Sequence, residues 1–355
     1  MKLGLGFHRE RITRENFRFA RQAGCTHVVV HLVDRFKGCP LPNADESCFG
    51  LTRAEGRVWN EEELREVRDL ARQEGLQLEA IENIDPSFWC DVLLDGPKKR
   101  QQLEGLKGLI RSMGRLGIPV LGYYFSLAGV WGRIEGPFAR GQAVAPAFLE
   151  SQRPKETLLP KGQLGNIVYD VNATKGALEP VSSDQLWQRL DEFLHELVPV
   201  AEECGVRLAA HPDDPPVPVL RGTPRLLFQP HLFQRLLDLA PSRANALQLC
   251  VGSIQEMTDG DIYDVVETYS RQGAIAYVHL RNVKGKVPNY HEAFIDEGDI
   301  DMFRLLRVLR QTGFNGVVIP DHAPQMICPG SWHTGMAHAI GYMRAALQVV
   351  DATEP

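Results

Sequence analysis

Eight short runs of apolar and β-branched residues recur along the chain, each separated from the next by a longer stretch that holds amphipathic segments. Few folds accommodate that alternation. The runs are Lys2–Phe7, Thr26–Val33, Leu76–Glu82, Ile118–Phe125, Val206–His211, Ala246–Val251, Ile275–Arg281 and Gly316–Asp321. Most are continuously apolar, as expected of strands whose sheet is covered by helices on one face and filled by side chains on the other. Helical patterns between them include 60–74, 99–116, 183–204, 261–272 and 299–312. Asn60-Glu61-Glu62-Glu63 reads as an N-cap with a capping box. Gly75, Gly117, Gly205, Gly273 and Gly313 each stand just past a helix, where a left-handed C-cap suits glycine. Eight βα units predict an α/β fold closed as a (β/α)8 TIM barrel. An open dinucleotide-binding sheet is disfavoured, because neither G-x-G-x-x-G nor G-x-x-x-x-G-K-[ST] occurs.

The 355 residues suit one such barrel, so a single domain over 1–355 is expected. The irregular stretch 126–182, rich in glycine and proline, follows the fourth strand and should lie over the barrel mouth as a lid-like insertion. With 44% hydrophobic and 24% charged residues the chain reads as soluble and globular. A formal net charge of −6, with no basic run longer than Lys98-Lys99-Arg100, argues against nucleic-acid or anionic-membrane partners. No apolar stretch approaches the roughly 18 uninterrupted residues of a membrane span. The start MKLGLGFHRERI carries charges where a signal peptide needs an apolar segment. Seven scattered cysteines make no disulfide framework, so a reducing cytoplasm is the expected setting. By analogy with other barrels, a homo-oligomer, dimer or tetramer, is expected.

In this fold reactive groups come from the C-terminal strand ends. The fifth run ends on His211, the sixth carries Cys250 in LQLCVGS, the seventh His279 in YVHLRN, and the eighth ends on Asp321 in VIPDHAP. The spacings of 39, 29 and 42 residues are each about one βα unit, so the four side chains should form an arc around a point. Taken singly, a strand-end histidine is more often a hydrogen-bonded structural group, and a cysteine in LQLCV a small core residue. Taken together, two imidazoles, a thiolate and a carboxylate are the ligand set of a divalent metal. The carboxylate favours Mn2+ among hard ions, while the thiolate pulls toward Zn2+, Fe2+ or Co2+. The acids and prolines after His211, in HPDDPP, are expected to form a stiff, solvated loop.

HPDDPP, GTPR (222–225), LQLCVGS, VHLRNV (278–283), HEAFIDEGDIDM (291–302) and PDHAPQM (320–326), in that order, resemble the mannonate dehydratase family. Upstream, VWNEEEL (58–64), IENI (81–84) and GYYFSLAGVWGR (122–133) are similar to further segments of it. The resemblance implies a TIM barrel of the xylose-isomerase-like type with a Mn2+ centre at His211, Cys250, His279 and Asp321. It also implies loss of water from D-mannonate to give 2-keto-3-deoxy-D-gluconate, in hexuronate catabolism. His322 is similar to the family's catalytic histidine. Arg133 matches an arginine of the family, with Trp131 beside it as a sugar platform. Two positions depart from the family pattern. Ala337 stands where members carry a tyrosine, and Phe294-Ile295 where they place a histidine; His291, His333 and His338 are the candidates to substitute.

Dehydrating a sugar acid requires an acid–base group within hydrogen-bond reach of the reacting carbons. His322 is the first candidate for proton transfer. Arg281, two residues after His279, and Arg225 in GTPR are candidates for the substrate carboxylate through bidentate contacts. Glu82 and His31 end the third and second runs and are expected to contact substrate or support the ligands, whereas Tyr124 is expected to pack in the barrel. Three other readings compete: a sugar isomerase or epimerase, a metal-dependent nuclease, and a protein that binds metal and sugar acid without turnover. The thiol at Cys250 favours the dehydratase over the first, and the acidic chain offers no basic groove for the second.

Overall fold

The structure, a computed structural model, describes residues 1–33, 50–52 and 57–353. Each expected run forms a strand: β1 Lys2–His8, β2 His27–His31, β3 Gln77–Ile81, β4 Val120–Tyr123, β5 Arg207–Ala210, β6 Asn245–Cys250, β7 Ile275–Leu280 and β8 Val317–Pro320. They pair in parallel with their sequence neighbours, and β1 pairs with β8 to close the barrel. Helices α1 Arg14–Ala23, α2 Glu61–Gln73, α3 Pro86–Leu94, α4 Lys99–Leu116, α5 Ser183–Cys204, α6 His231–Leu239, α7 Val251–Glu256, α8 Ile262–Arg271, α9 Met302–Gln311 and α10 Ser331–Thr353 complete the βα units. Among the described residues no helix is long and apolar enough to cross a membrane.

Strand periodicity sorts the side chains. Val28 and Val30, Leu208 and Ala210, and Val278 and Leu280 point outward and pack with the helices in one continuous core. Val29, Ala80, Val120, Ala209, Ala246, Tyr277, Val317 and Ile319 fill the inside. Most of these are small, as a narrow eight-stranded cylinder demands. The same parity reaches the mouth. Two residues beyond Val29, Ala80, Ala209 and Tyr277 lie His31, Glu82, His211 and His279; four beyond Ala246 and Val317 lie Cys250 and Asp321.

The local capping chemistry follows the sequence. Asn60 accepts from the backbone of Glu62 and Glu63, and Glu63 answers to the Asn60 N–H at 2.7 Å, closing the expected box at the start of α2. The helix expected over 299–312 begins later, at Met302, because the Asp301 carboxylate accepts from Arg304 N at 3.0 Å and fixes the cap there.

The stretch 126–182 is more regular than its composition suggests. It contains an antiparallel hairpin, Ile134–Ala139 with Ala143–Leu149, and two short strands, Gln163–Leu164 and Ile167–Val168. The hairpin adds to a second one, Asn282–Lys286 with Asn289–Ala293, which leaves the C-terminal end of β7, and the two make a four-stranded sheet. The N–H of Gln325, in the loop after β8, donates to the Val144 carbonyl at 2.8 Å and ties the hairpin to that loop.

The seam between β1 and β8 leaves no room at Gly4. A Cβ there would meet Val317 Cγ1 at 2.8 Å, Ile319 Cγ2 at 3.0 Å and the His27 carbonyl at 3.1 Å. Gly4→Ala is therefore expected to destabilise the barrel by about 1–3 kcal/mol. A urea midpoint equal to that of the wild type would show that the seam has slack.

Candidate metal centre

His211, one residue past β5, Cys250 at the end of β6 and His279 in β7 each bring one ligand atom within 4.8 Å of the others. Asp321, one residue past β8, joins them: Oδ1 lies 3.5 Å from His279 Nδ1 and Oδ2 3.8 Å from Cys250 Sγ. In each ring the second nitrogen is already engaged. His211 Nδ1 donates to the Pro212 carbonyl at 2.6 Å, leaving Nε2 to face the cluster. His279 Nε2 lies 3.1 Å from Glu82 Oε2 and 2.8 Å from the Gln248 amide, while Nδ1 is buried with no hydrogen-bond partner. An orphaned ring nitrogen, next to a thiol and a carboxylate, suits a divalent cation. Coordination supplies the partner that hydrogen bonding does not.

The field at this point favours the ionised forms of the thiol and the carboxylate. Burial alone would push the Cys250 thiol up; the Arg281 guanidinium and the His211 and His279 rings outweigh it and hold the thiol well below its ordinary range. Asp321 is likewise buried yet held well below the usual carboxylate range by His322, His279 and Arg281. The His211 and His279 rings are shifted upward against burial, His211 chiefly by Cys250 and His279 chiefly by Glu82 and Asp321. The two sets of shifts describe one compact group of opposed charges.

Around this group the structure corrects several sequence-based expectations. The HPDDPP acids do not form a solvated loop: Asp213 and Asp214 are buried, because each neutralises a buried arginine. Asp213 Oδ1 accepts from Arg225 Nε at 2.7 Å, and its Oδ2 takes the backbone N–H groups of Leu226 and Leu227. Arg225 spends its remaining donors on the carbonyls of Gly129 and Asp214 and on the Tyr124 hydroxyl. Four of its five N–H donors are thus engaged, and the side chain is fully buried rather than open to the mouth. Arg281 is equally committed. Nη1 reaches Glu256 and Glu292 at 2.8 and 2.9 Å, Nη2 reaches Asp214 and Ser253 at 2.8 and 3.1 Å, and Nε lies 3.4 Å from Asp321. Both arginines are held as counter-ions to buried carboxylates.

Trp131 is not an open sugar platform either. It is buried against Ala128 and Leu220, with Arg221 over its ring. Arg133 is nearly buried and pairs with Asp214 and Glu292. Glu82 is buried and faces His279 and the Tyr277 hydroxyl. His31 stacks on His8 with ring centroids 4.4 Å apart, and its Nε2 lies 3.7 Å from Glu82. Tyr124 packs its edge on the His211 ring, as expected of a barrel residue, and also serves as a hydroxyl acceptor for Arg225.

His322 is half-exposed at the mouth, with Nδ1 2.9 Å from Glu292 Oε1 and Nε2 3.5 Å from Asp321 Oδ1. Desolvation opposes charge on its ring, but Asp321 and Glu292 outweigh it and raise its pKa to about 9. None of the candidate substitute histidines reaches this group. His333 pairs with Asn16, His338 pairs with Asp296 over the Phe294 ring, and His291 lies against Phe138. The sequence reading missed Glu292, Glu256, Tyr290 and Gln248. Glu292 sits in a hairpin strand outside the eight-unit pattern, and Gln248 was two positions before Cys250 on the same inward face.

Comparison with known proteins bears on the chain as a whole. A family model described as D-mannonate dehydratase (UxuA) matches residues 20–354. A mannonate dehydratase of Geobacillus thermodenitrificans is 29% identical over 289 residues, covering 75% of this chain and 76% of that protein. One from Thermotoga neapolitana is 29% identical over 287 residues, covering 75% and 78%. The crystal structure of mannonate dehydratase from Streptococcus suis serotype 2 superposes with a TM-score of 0.80 at 24% identity, over 99% of this chain and 94% of that one. An L-ribulose 3-epimerase shares the barrel more distantly, with a TM-score of 0.58 at 13% identity over 99% and 96% of the two chains.

If Arg225 serves the fold, Arg225→Met leaves Asp213 buried and uncompensated, and stability should fall by about 3–5 kcal/mol in urea denaturation. Arg18→Ala, which removes a solvent-exposed arginine from Glu74, should leave the urea midpoint nearly unchanged. An Arg225→Met protein of wild-type stability, altered only in its KM for substrate, would return this residue to substrate binding.

Proposed function

The chain belongs to the D-mannonate dehydratase family, and from that premise we propose that it is a metal-dependent hydro-lyase converting D-mannonate to 2-keto-3-deoxy-D-gluconate and water. The observation that carries the reading is the gathering of His211, Cys250 and His279 within 4.8 Å at the strand ends, in a chain matched to this family over most of its length. We assign the cation to His211 Nε2, Cys250 Sγ, His279 Nδ1 and an Asp321 carboxylate oxygen. Mn2+ is the favoured ion because a hydroxy-acid substrate and a carboxylate ligand are hard donors; Zn2+, Fe2+ and Co2+ compete through the thiolate. Bound there, the ion supplies Lewis-acid stabilisation for the charge that develops as the substrate loses its proton.

The remaining chemistry falls to side chains. A proton leaves carbon 2, the carbon–oxygen bond at carbon 3 breaks, the departing hydroxyl takes up a proton to become water, and the resulting enol becomes the 2-keto acid. His322 is the proton-transfer group in this reading. Its Nδ1 is held by Glu292, which leaves Nε2 to exchange a proton beside Asp321. Arg133 and Arg281 keep Glu292 ionised against burial, together with His322 itself. His31, at the mouth on β2, remains the expected contact for sugar hydroxyls. We read 126–182 as a lid on a single barrel domain, because it carries Arg133 to Glu292 and its hairpin pairs with the strand that holds Glu292. Hexuronate catabolism in the cytoplasm, by a homo-oligomer, is the setting that follows. The free thiols at Cys25, Cys90, Cys204, Cys250 and Cys328 fit a reducing compartment.

Incubation with Mn2+ and a panel of aldonates should release a 2-keto-3-deoxy acid from D-mannonate. Accumulation of a carbon-2 epimer or a ketose instead would favour the epimerase-like relatives and end the lyase assignment. His322→Asn should lower kcat by about 10²–10⁴-fold with metal content unchanged. Cys250→Ala and His279→Ala should lose bound metal, and wild-type stoichiometry by elemental analysis would remove either from the ligand set.

A further inference from the structure

Resting on the metal assignment above, we propose that Glu82 is a positioning residue that selects which nitrogen of His279 meets the cation. Glu82 is buried, and its Oε2 lies 3.1 Å from His279 Nε2. That oxygen already accepts from the Tyr277 hydroxyl, so the ring nitrogen facing it is assigned the hydrogen, and the Gln248 amide, 2.8 Å from the same nitrogen, then turns its otherwise unpartnered carbonyl oxygen toward it. That leaves the lone pair of a neutral ring on Nδ1, the nitrogen that is buried without a partner beside Asp321 and Cys250. Carboxylate, imidazole and cation then form one chain, in which the outer carboxylate fixes ring orientation and raises ligand basicity.

Glu82 is itself pinned. The Tyr277 hydroxyl donates to the same Oε2 at 3.0 Å, and His31 Nε2 lies 3.7 Å from Oε1. The layer exists because β4 has no side chain at its level. A Cβ on Gly122 would meet the Tyr277 hydroxyl at 2.9 Å, Gln248 Oε1 at 3.2 Å and Glu82 Cα at 3.3 Å. Tyr277, Gln248 and Glu82 thus fill the space above Gly122, directly under the ligand layer.

The test uses Zn2+ as a diamagnetic probe. In full-length protein loaded with Zn2+ and labelled with 15N-histidine, His279 should show a hydrogen on Nε2 and a metal-bound Nδ1. Glu82→Ala should weaken Zn2+ binding by about 10–100-fold in chelator competition and lose the hydrogen-bonded Nε2–H signature. Affinity within two-fold of wild type in Glu82→Ala, or a metal-bound Nε2 in the wild type, would overturn the proposal. If Glu82→Ala does not fold, the wild-type ring spectrum decides alone. Wild-type protein that binds neither Zn2+ nor Mn2+ would instead overturn the metal centre itself, a different failure with a different readout.

Discussion

Closure of the eight-stranded cylinder is the constraint on which the site depends. Hydrogen bonding of β1 to β8 fixes the tilt and stagger of every strand between them, and the two-residue periodicity of a strand then decides which side chains face inward. The lower interior accepts Ala80, Ala209 and Ala246 because little else fits. At the mouth the cylinder ends, and the next inward positions can be large and polar. His211, Cys250, His279 and Asp321 are those positions on four consecutive strands, so their convergence is a consequence of the barrel rather than of any local turn.

Such a mouth gathers charge that must be balanced within the fold. Asp214 and Glu292 meet Arg133 and Arg281, and Asp213 meets Arg225, all beneath the surface. Removing one member of such a pair strands the other in a poorly solvating interior, which is far more damaging than the loss of an exposed ion pair. Glu256 shows where the balance runs out. Burial outweighs its contact with Arg281 and pushes its pKa well above the usual carboxylate range. The guanidinium of Arg281 is the shared element. It touches Glu256, Glu292 and Asp214, and its Nη2 lies 3.6 Å from Cys250 Sγ, so the counter-ion network and the thiolate are electrostatically one unit.

The barrel and the convergence of His211, Cys250, His279 and Asp321 were legible in the sequence because both depend on periodicity. Continuous apolar runs marked the strands, and the residue types at their ends marked the cluster. What could not be read was pairing across the mouth. HPDDPP looks like a solvated loop until Arg225 and Arg281 are known to lie beneath it, and an arginine in GTPR looks like a substrate clamp until its acceptors are counted. The hairpins at 134–149 and 282–293 were hidden for a related reason. Three of the four strands carry glycine or proline, and the fourth, NYHEA, is largely polar, so no apolar run separates them from loop.

These two sources of residues divide the site into layers with different freedom to change. The ligand layer is fixed by strand register: moving His279 means moving β7 against β6 and β8. The layer above it comes from the hairpin that carries Glu292 and from the loops that carry Arg133 and His322, which are joined to the barrel by hydrogen bonds and ion pairs rather than by sheet register. The two positions read in the sequence as departures from the family pattern, Phe294-Ile295 and Ala337, fall just past that hairpin and in α10, outside the barrel strands. Phe294 packs with Ala139, Ala145 and His338 instead of reaching the ligands. A barrel can therefore keep its cation cradle while the groups that move protons are exchanged. In this chain the imidazole beside the cradle is His322, and the carboxylate that orients it is supplied by the hairpin.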